Sequence, residues 1–339
     1  MVIWAGPFDC GAQQLGFQQW RSEAHACPTE SNNNQQGTLR PNAYQNSCPD
    51  AEPIVFSGVA KAVADDPRMA ASLLRLHFHD CFGCDGSVLL DDSPTFVGEK
   101  SAAPNLNSLR GFEVIDAIKS DLESLCPETV SCADILAIAA RDSVVLSGGP
   151  GWDVQTGRRD SLSASKTVAN NNIPGPNSDV ATLVSKFQNV GLDLNDMVTL
   201  SGAHTIGKAR CSTFSSRLNG VSNPVLPGQD MGFLQSLQQL CLQSDQGGNS
   251  TQNLAELDLV TPATFDNQYY INLISGEGLL TSDQALVTTN SDARDIVESY
   301  AADTMLFFDN FVSSMVRLGG LSPLLGNSGE IRRSCRRAN

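Results

Sequence analysis

Arg75-Leu76-His77-Phe78-His79-Asp80-Cys81-Phe82 holds two of the four histidines in the chain, and the helical period that runs through it sets the fold class. On a helix, Arg75, Phe78 and His79 fall at i, i+3 and i+4 and share one face, while His77 points about 200° away from His79. A fixed cation beside an imidazole, with an aromatic ring limiting access, suits a base that takes a proton while the cation steadies developing negative charge. A hydrogen-bonded core histidine is the competing reading of His79. A structural zinc site of His77, His79, Cys81 and Cys84 is a further one. The divergence of the two imidazoles and their narrow spacing argue against zinc.

Helical patterning extends outward from this segment. Residues 50–66 place Ile54, Val55, Val59, Ala62 and Val63 on one face, and Pro67 starts the next helix. Residues 111–126 repeat the pattern with Val114, Ile115, Ile118, Leu122 and Leu125. Ser131 precedes Cys132, Ala133 and Asp134 as in a capping box with Asp in place of Glu, and the apolar helix that follows stops at Gly148-Gly149-Pro150. Further helices are predicted over 178–190, 195–203, 231–241, 267–273, 291–300 and 303–318. Alternation of period two is scarce, so the fold class is mainly α. Residues 170–176 and 246–251 read as polar loops rich in Gly, Pro and Asn.

The 339 residues, 41% hydrophobic and 17% charged, suffice for one large domain or two smaller ones. The 22 basic and 37 acidic residues leave a net charge of −15. That charge removes the long-range attraction used by binders of nucleic acid or anionic membranes. No stretch approaches the roughly 18 uninterrupted apolar residues of a membrane span. Arg332, Arg333, Arg336 and Arg337 read as a solvated basic tail. Ten cysteines spread along the chain indicate an oxidising compartment, hence a secreted, cell-wall or vacuolar protein. No signal peptide is recognisable, because the apolar run from Met1 to Ala5 is interrupted at Pro7, Asp9 and Cys10. Residues 1–41 are read as an atypical leader, disordered or the product of a wrongly chosen start, and 42–339 as one domain. Asn249-Ser250-Thr251 is a glycosylation sequon.

A third histidine, His204, lies in Leu200-Ser201-Gly202-Ala203-His204-Thr205-Ile206-Gly207. Gly202 and Ala203 leave room for a flat ligand, and the imidazole suits axial metal binding, with a buried structural histidine as the alternative. Other segments join these: N-S-C-P from Asn46, E-K-S-A-A-P-N-L-N-S-L-R-G-F from Glu99, V-S-C-A-D-I-L from Val130 and G-R-R-D from Gly157. N-I-P-G-P from Asn172, D-L-V-T-P-A-T-F-D-N from Asp258 and L-L-T-S-D-Q from Leu279 complete the series. In this order and spacing, over nearly all of residues 44–337, the chain resembles the secretory plant haem peroxidases, the class III family.

The resemblance implies a mainly α, disulfide-stapled fold with haem b between a distal and a proximal helical half. It implies that His204 is the axial ligand of haem iron and that Asp283 accepts a hydrogen bond from its other ring nitrogen. On the distal side it implies that His79 takes a proton from hydrogen peroxide and returns it to the leaving oxygen. Asn105 would orient His79, Arg75 would stabilise the developing charge, and Phe78 would restrict access to the iron. Pro174 matches the position whose backbone contacts phenolic donors. The expected partners are hydrogen peroxide and small phenols, as in lignin metabolism, and the expected state is a monomer.

The resemblance further implies two calcium ions. The proximal set would be Thr205, Asp258, Thr261, Thr264 and Asp266, hard oxygen donors with the carboxylates calcium needs. The distal set would be Asp80, Gly83, Asp85, Ser87 and, through water, Glu99. The family reads F-V-x-G-C-D-x-S there, whereas this chain runs Phe82-Gly83-Cys84-Asp85-Gly86-Ser87, two residues shorter and without one carbonyl donor. A strained or lost distal site is expected. The family pattern also pairs Cys48 with Cys126, Cys81 with Cys84, Cys132 with Cys335 and Cys211 with Cys241, leaving Cys10 and Cys27 without counterparts. The alternative to an active enzyme is a secreted scaffold disabled by the shortened loop.

Overall fold

The computed structural model describes residues 37–218, 230–242 and 252–339. Cys10, Cys27, residues 1–36 of the leader and the Asn249 sequon lie outside the described residues.

Pro67 has no N–H to give, so helix α1 (Ala51–Asp65) ends before it and α2 (Arg68–Asp80) begins after it. Asp66 helps the restart, its Oδ1 accepting the Arg68 N–H at 3.0 Å. Two apolar clusters meet on α2. Met69, Leu73 and Leu76 pack with α1, α3 (Phe112–Leu125) and α4 (Cys132–Leu146). Ala70 and Leu74 belong to the second cluster, which contains α6 (Val180–Asn189), α7 (Leu194–Ser201), α10 (Gln268–Ile274), α12 (Ser291–Ala302) and α13 (Thr304–Gly319). Ala71, Arg75 and Phe78 stay half-buried on α2, Ala71 and Phe78 at the margin of the second cluster.

Short strands tie loops together. β1 (Arg40–Pro41) pairs antiparallel with β2 (Gln155–Thr156), and β3 (Lys208–Arg210) with β4 (Leu254–Glu256). The remaining helices are α5 (Lys166–Asn172), α8 (Cys211–Leu218), α9 (Met231–Leu242) and α11 (Thr281–Thr288). Disulfides join Cys48 to Cys126, Cys81 to Cys84, Cys132 to Cys335 and Cys211 to Cys241. No helix among the described residues is long and apolar enough to cross a membrane.

Three local expectations need correction. Helix α5 takes in the first three residues of the stretch read as a loop over 170–176, because Ser165 caps it by accepting the Val168 N–H at 3.3 Å. The capping box at Ser131 has only one arm. Ser131 Oγ accepts the Asp134 N–H at 3.1 Å, but the Asp134 carboxylate turns to Tyr44, Gly157 and a buried ion pair with Arg158 at 2.7 Å. A desolvated carboxylate needs charged and N–H partners more than the helix end needs a second cap. Nor is the C-terminal arginine group a free tail. Arg332 is fully buried and donates to the carbonyls of Gly86, Ser161 and Cys335, and Arg336 pairs with Asp116. The Cys132–Cys335 bridge draws that segment onto the domain.

Candidate active site

The face of α2 that carries Arg75 also carries His79, one turn later. His79 is 6% exposed, and its Nδ1 lies 2.6 Å from Asn105 Oδ1. The Asn105 amide has one consistent orientation, since its Nδ2 donates to the Glu99 carbonyl at 2.9 Å. Oδ1 therefore faces the imidazole, Nδ1 bears the proton, and the lone pair sits on Nε2. Burial, and then the nearby Arg75 charge, hold the His79 pKa well below its ordinary value. This is a neutral imidazole with its basic nitrogen free. Arg75 is anchored from behind by the carbonyls of Pro104 and Ser108, at 2.9 and 3.1 Å, so its guanidinium is fixed in place. Phe78 packs edge-on against His79 and Phe82.

His204 comes from the opposite cluster, in the 3-10 turn Gly202–Thr205 that follows α7. Its Nδ1 lies 2.9 Å from Asp283 Oδ1, in the first turn of α11, and the side chain of Asp283 is 3% exposed against 36% for His204. One imidazole nitrogen is thus tied to a buried carboxylate while the ring faces open space. Tyr269 on α10 also donates to Asp283 Oδ1, at 3.1 Å. Burial and the Asp283 charge push the Tyr269 hydroxyl well up, so it keeps its proton and acts as a donor.

Gly202 does not make room for a ligand. A Cβ there would stand 2.3 Å from Tyr270 Oη and 2.7 Å from the Phe307 ring, so its smallness serves the packing beneath the turn. Replacing Gly202 with Ala is expected to destabilise the protein by about 1–3 kcal/mol through overpacking. A thermal unfolding midpoint equal to that of the parent would contradict this. Gly207 makes another close approach. With φ +102° it brings the chain after His204 to within a methyl group of Ala71 on α2.

The two histidines are near enough for the charge of one to bear on the other. Around them gather Arg75, Arg68 and Arg210, whose mutual repulsion, second to burial, lowers the Arg75 pKa to about 10. None of the three is in an ion pair among the described residues. Three guanidinium groups this close, with Asp66 and Glu256 offsetting only part of the charge at Arg68, offer a seat to an anionic ligand. Sequence reading missed Arg68 and Arg210, which stand outside the histidine motifs.

The oxygen-rich sets differ from each other. Thr205 Oγ1 lies 3.3 Å from Asp258 Oδ2 and 3.1 Å from Asp266 Oδ1, and Thr261 Oγ1 lies 3.4 and 3.2 Å from the same two atoms. Each hydroxyl has one proton, so half of these contacts set acceptor against acceptor, an arrangement that a cation resolves. Thr264 sits in the same turn, with its N–H on the Thr261 carbonyl. In the other set, Asp80, Gly83, Asp85, Ser87 and Glu99 line a cavity of about 200 Å³ that also reaches His79 and Ile173, the neighbour of Pro174. There Asp80 already accepts the N–H groups of Gly86 and Val88, and Asp85 accepts that of Ser87. Cys84 takes the left-handed conformation, φ +46°, to close the shortened loop. The His79–Asn105 pair remains intact beside it.

Zinc is excluded at Cys81 and Cys84, whose sulfurs are bonded to each other. His77 is buried against Arg158, and desolvation together with that charge lowers its pKa to about 3. It is a neutral core histidine.

A mainly helical scaffold with a neutral imidazole near an anchored guanidinium, and a second imidazole backed by a carboxylate, has the side-chain chemistry that a haem-dependent oxidoreductase uses. The profile of the family described as Peroxidase matches residues 55–303. The chain is 61% identical over 300 residues to Peroxidase 40 of Arabidopsis thaliana, covering 87% of this chain and 84% of that protein. It is 54% identical to Peroxidase 15 of the same plant, over 89% of this chain and 90% of that one. It is 53% identical to Peroxidase 4 of Vitis vinifera, over 89% and 92%. The chain belongs to the peroxidase family, in its class III plant branch, and is a haem peroxidase. Haem and calcium are the cofactors of that family in general, and hydrogen peroxide and small donors its substrates.

Proposed function

We propose that haem b binds between His79 and His204 and that the protein reduces hydrogen peroxide while oxidising phenols. The observation that carries this reading is the pair of hydrogen bonds at the two imidazoles. Each Nδ1 is committed to an acceptor, Asn105 Oδ1 on one side and Asp283 Oδ1 on the other, which leaves each Nε2 for the pocket. A neutral amide behind His79 keeps it a proton acceptor. A carboxylate behind His204 enriches it as an iron ligand.

The residues present fit the group. His204 Nε2 would hold the iron, and Arg68 and Arg210 would meet the propionates. When bound, haem supplies the redox chemistry, accepting two oxidising equivalents from peroxide and returning them singly to donors. His79 Nε2 takes a proton from hydrogen peroxide and delivers it to the departing oxygen. Arg75 opposes the negative charge that builds on that oxygen. Phe78 keeps larger molecules from the centre, and phenols reach the exposed edge near Pro174. The balanced reaction is two phenols plus hydrogen peroxide giving two phenoxyl radicals and two waters.

Calcium fits the convergent donors Thr205, Asp258, Thr261 and Asp266, with Thr264 in the same turn. The distal set fits it less well, since the shortened loop has lost a carbonyl. The disulfides among the described residues support an oxidising compartment, the cell wall or the vacuole, as its location. The test is reconstitution of the full chain with haemin and calcium, followed by peroxide-dependent oxidation of guaiacol. Turnover is expected. Haem uptake without turnover would replace this reading with the disabled scaffold.

A further inference from the structure

We infer that Tyr269 is a positioning residue for the axial imidazole, because its hydroxyl shares the Asp283 oxygen that receives the His204 proton. The inference rests on His204 being the iron ligand. Asp283 Oδ1 accepts from His204 Nδ1 at 2.9 Å and from Tyr269 Oη at 3.1 Å, while Oδ2 accepts the Leu280 N–H at 3.2 Å. Negative charge given to the phenol is withheld from the imidazole. A carboxylate with one donor fewer pulls harder on the His204 proton, makes that ring more anionic and strengthens its donation to a metal.

The phenol is built into this place. Tyr269 is 2% exposed, packs edge-on against Tyr270 with ring centroids 5.0 Å apart, and stands edge-on to His204 at 6.1 Å. From the same helix, Asn272 donates to Asp258 Oδ1 at 3.0 Å, within the oxygen cluster that contains Thr205, the residue after His204. Helix α10 thereby grips both the carboxylate behind His204 and the turn that carries it. Tyr270 is the internal contrast. It is equally buried, but its hydroxyl donates to the carbonyls of Val198 and Thr199 and lies against Gly202, so it supports the turn without touching Asp283.

The test uses the full chain reconstituted with haemin, comparing the parent with Tyr269→Phe and Tyr270→Phe. The readouts are the ferrous iron–histidine stretching frequency and the midpoint potential of the iron. Tyr269→Phe is expected to raise the frequency and shift the potential negative, and Tyr270→Phe, which leaves Asp283 Oδ1 with both its donors, to produce neither of these shifts. Site-specific 3-fluorotyrosine at position 269, a stronger donor that preserves the packing, is expected to shift both readouts the opposite way. Unchanged values in both position-269 variants, or equal shifts in Tyr270→Phe, would overturn the inference. Absence of an iron–histidine band in the parent would instead overturn the assignment of His204, and this inference with it.

Discussion

His204→Ala is expected to abolish stable haem ligation, with loss of the Soret band that the reconstituted parent shows. The argument is geometric. Among the described residues His204 is the imidazole that faces the pocket with a buried carboxylate behind it, and alanine leaves Asp283 with no ring to orient. The partner should matter less than the ligand. Asp283→Asn keeps the ring in place but weakens its donor character, and removal of such an outer partner typically costs about 10–100-fold in metal affinity or activity. The ordering of the two variants is therefore part of the expectation. Far-UV circular dichroism should show both chains helical, because the turn Gly202–Thr205 is held by Tyr270 and Phe307 from below. A Soret spectrum unchanged in His204→Ala would refute the assignment.

The second large effect falls on peroxide. His79→Ala should leave haem bound and slow the reaction with hydrogen peroxide by about 10²–10⁴-fold, the usual contribution of a positioned base. Arg75→Leu should slow it by about 10²–10³-fold, as for other preorganised charges. Rapid mixing with peroxide separates this step from donor oxidation, and an unchanged rate in His79→Ala would exclude it as the base. The pH dependence follows from the lowered pKa. Because burial and Arg75 disfavour the charged imidazole, His79 stays neutral as pH falls through 6.5, the ordinary value, and the peroxide step should remain flat there. The stability consequence has the opposite sense. The unfolded chain binds the proton near pH 6.5 while the folded one does not, so His79 and the neutral His77 both lower stability as pH drops below that value.

Much of the site was legible because its chemistry is written in short segments. Arg75 and His79 share a helix face by spacing alone, and α2 exists because apolar residues recur at helical intervals between Pro67 and the loop that starts at Cys81. Three helices escaped, α5, α8 and α11. Each has only 7 or 8 residues, and serines, threonines or asparagines blur the apolar stripe. Their order comes from caps, disulfides and packing, as when Leu280 N–H meets Asp283. Gly202 was misread for a similar reason, since a glycine beside a histidine looks the same whether a ligand or a phenylalanine occupies the space.

By itself the sequence determined the mainly helical class, the break at Pro67, the cap at Ser131 and, through ordered motifs, the family. All of these depend on neighbours within a few positions or on fixed short patterns. Tertiary structure alone decided which partner each polar group took. It gave Asp134 to Tyr44 and Arg158 in place of a cap, buried Arg332 among carbonyls, brought Arg210 near Arg75, and set Tyr269 on the oxygen that serves His204. The physical reason is that a buried charge is satisfied by whatever donors and acceptors the folded chain brings within about 3 Å. Most of those partners are remote in the chain, as far as 246 positions away.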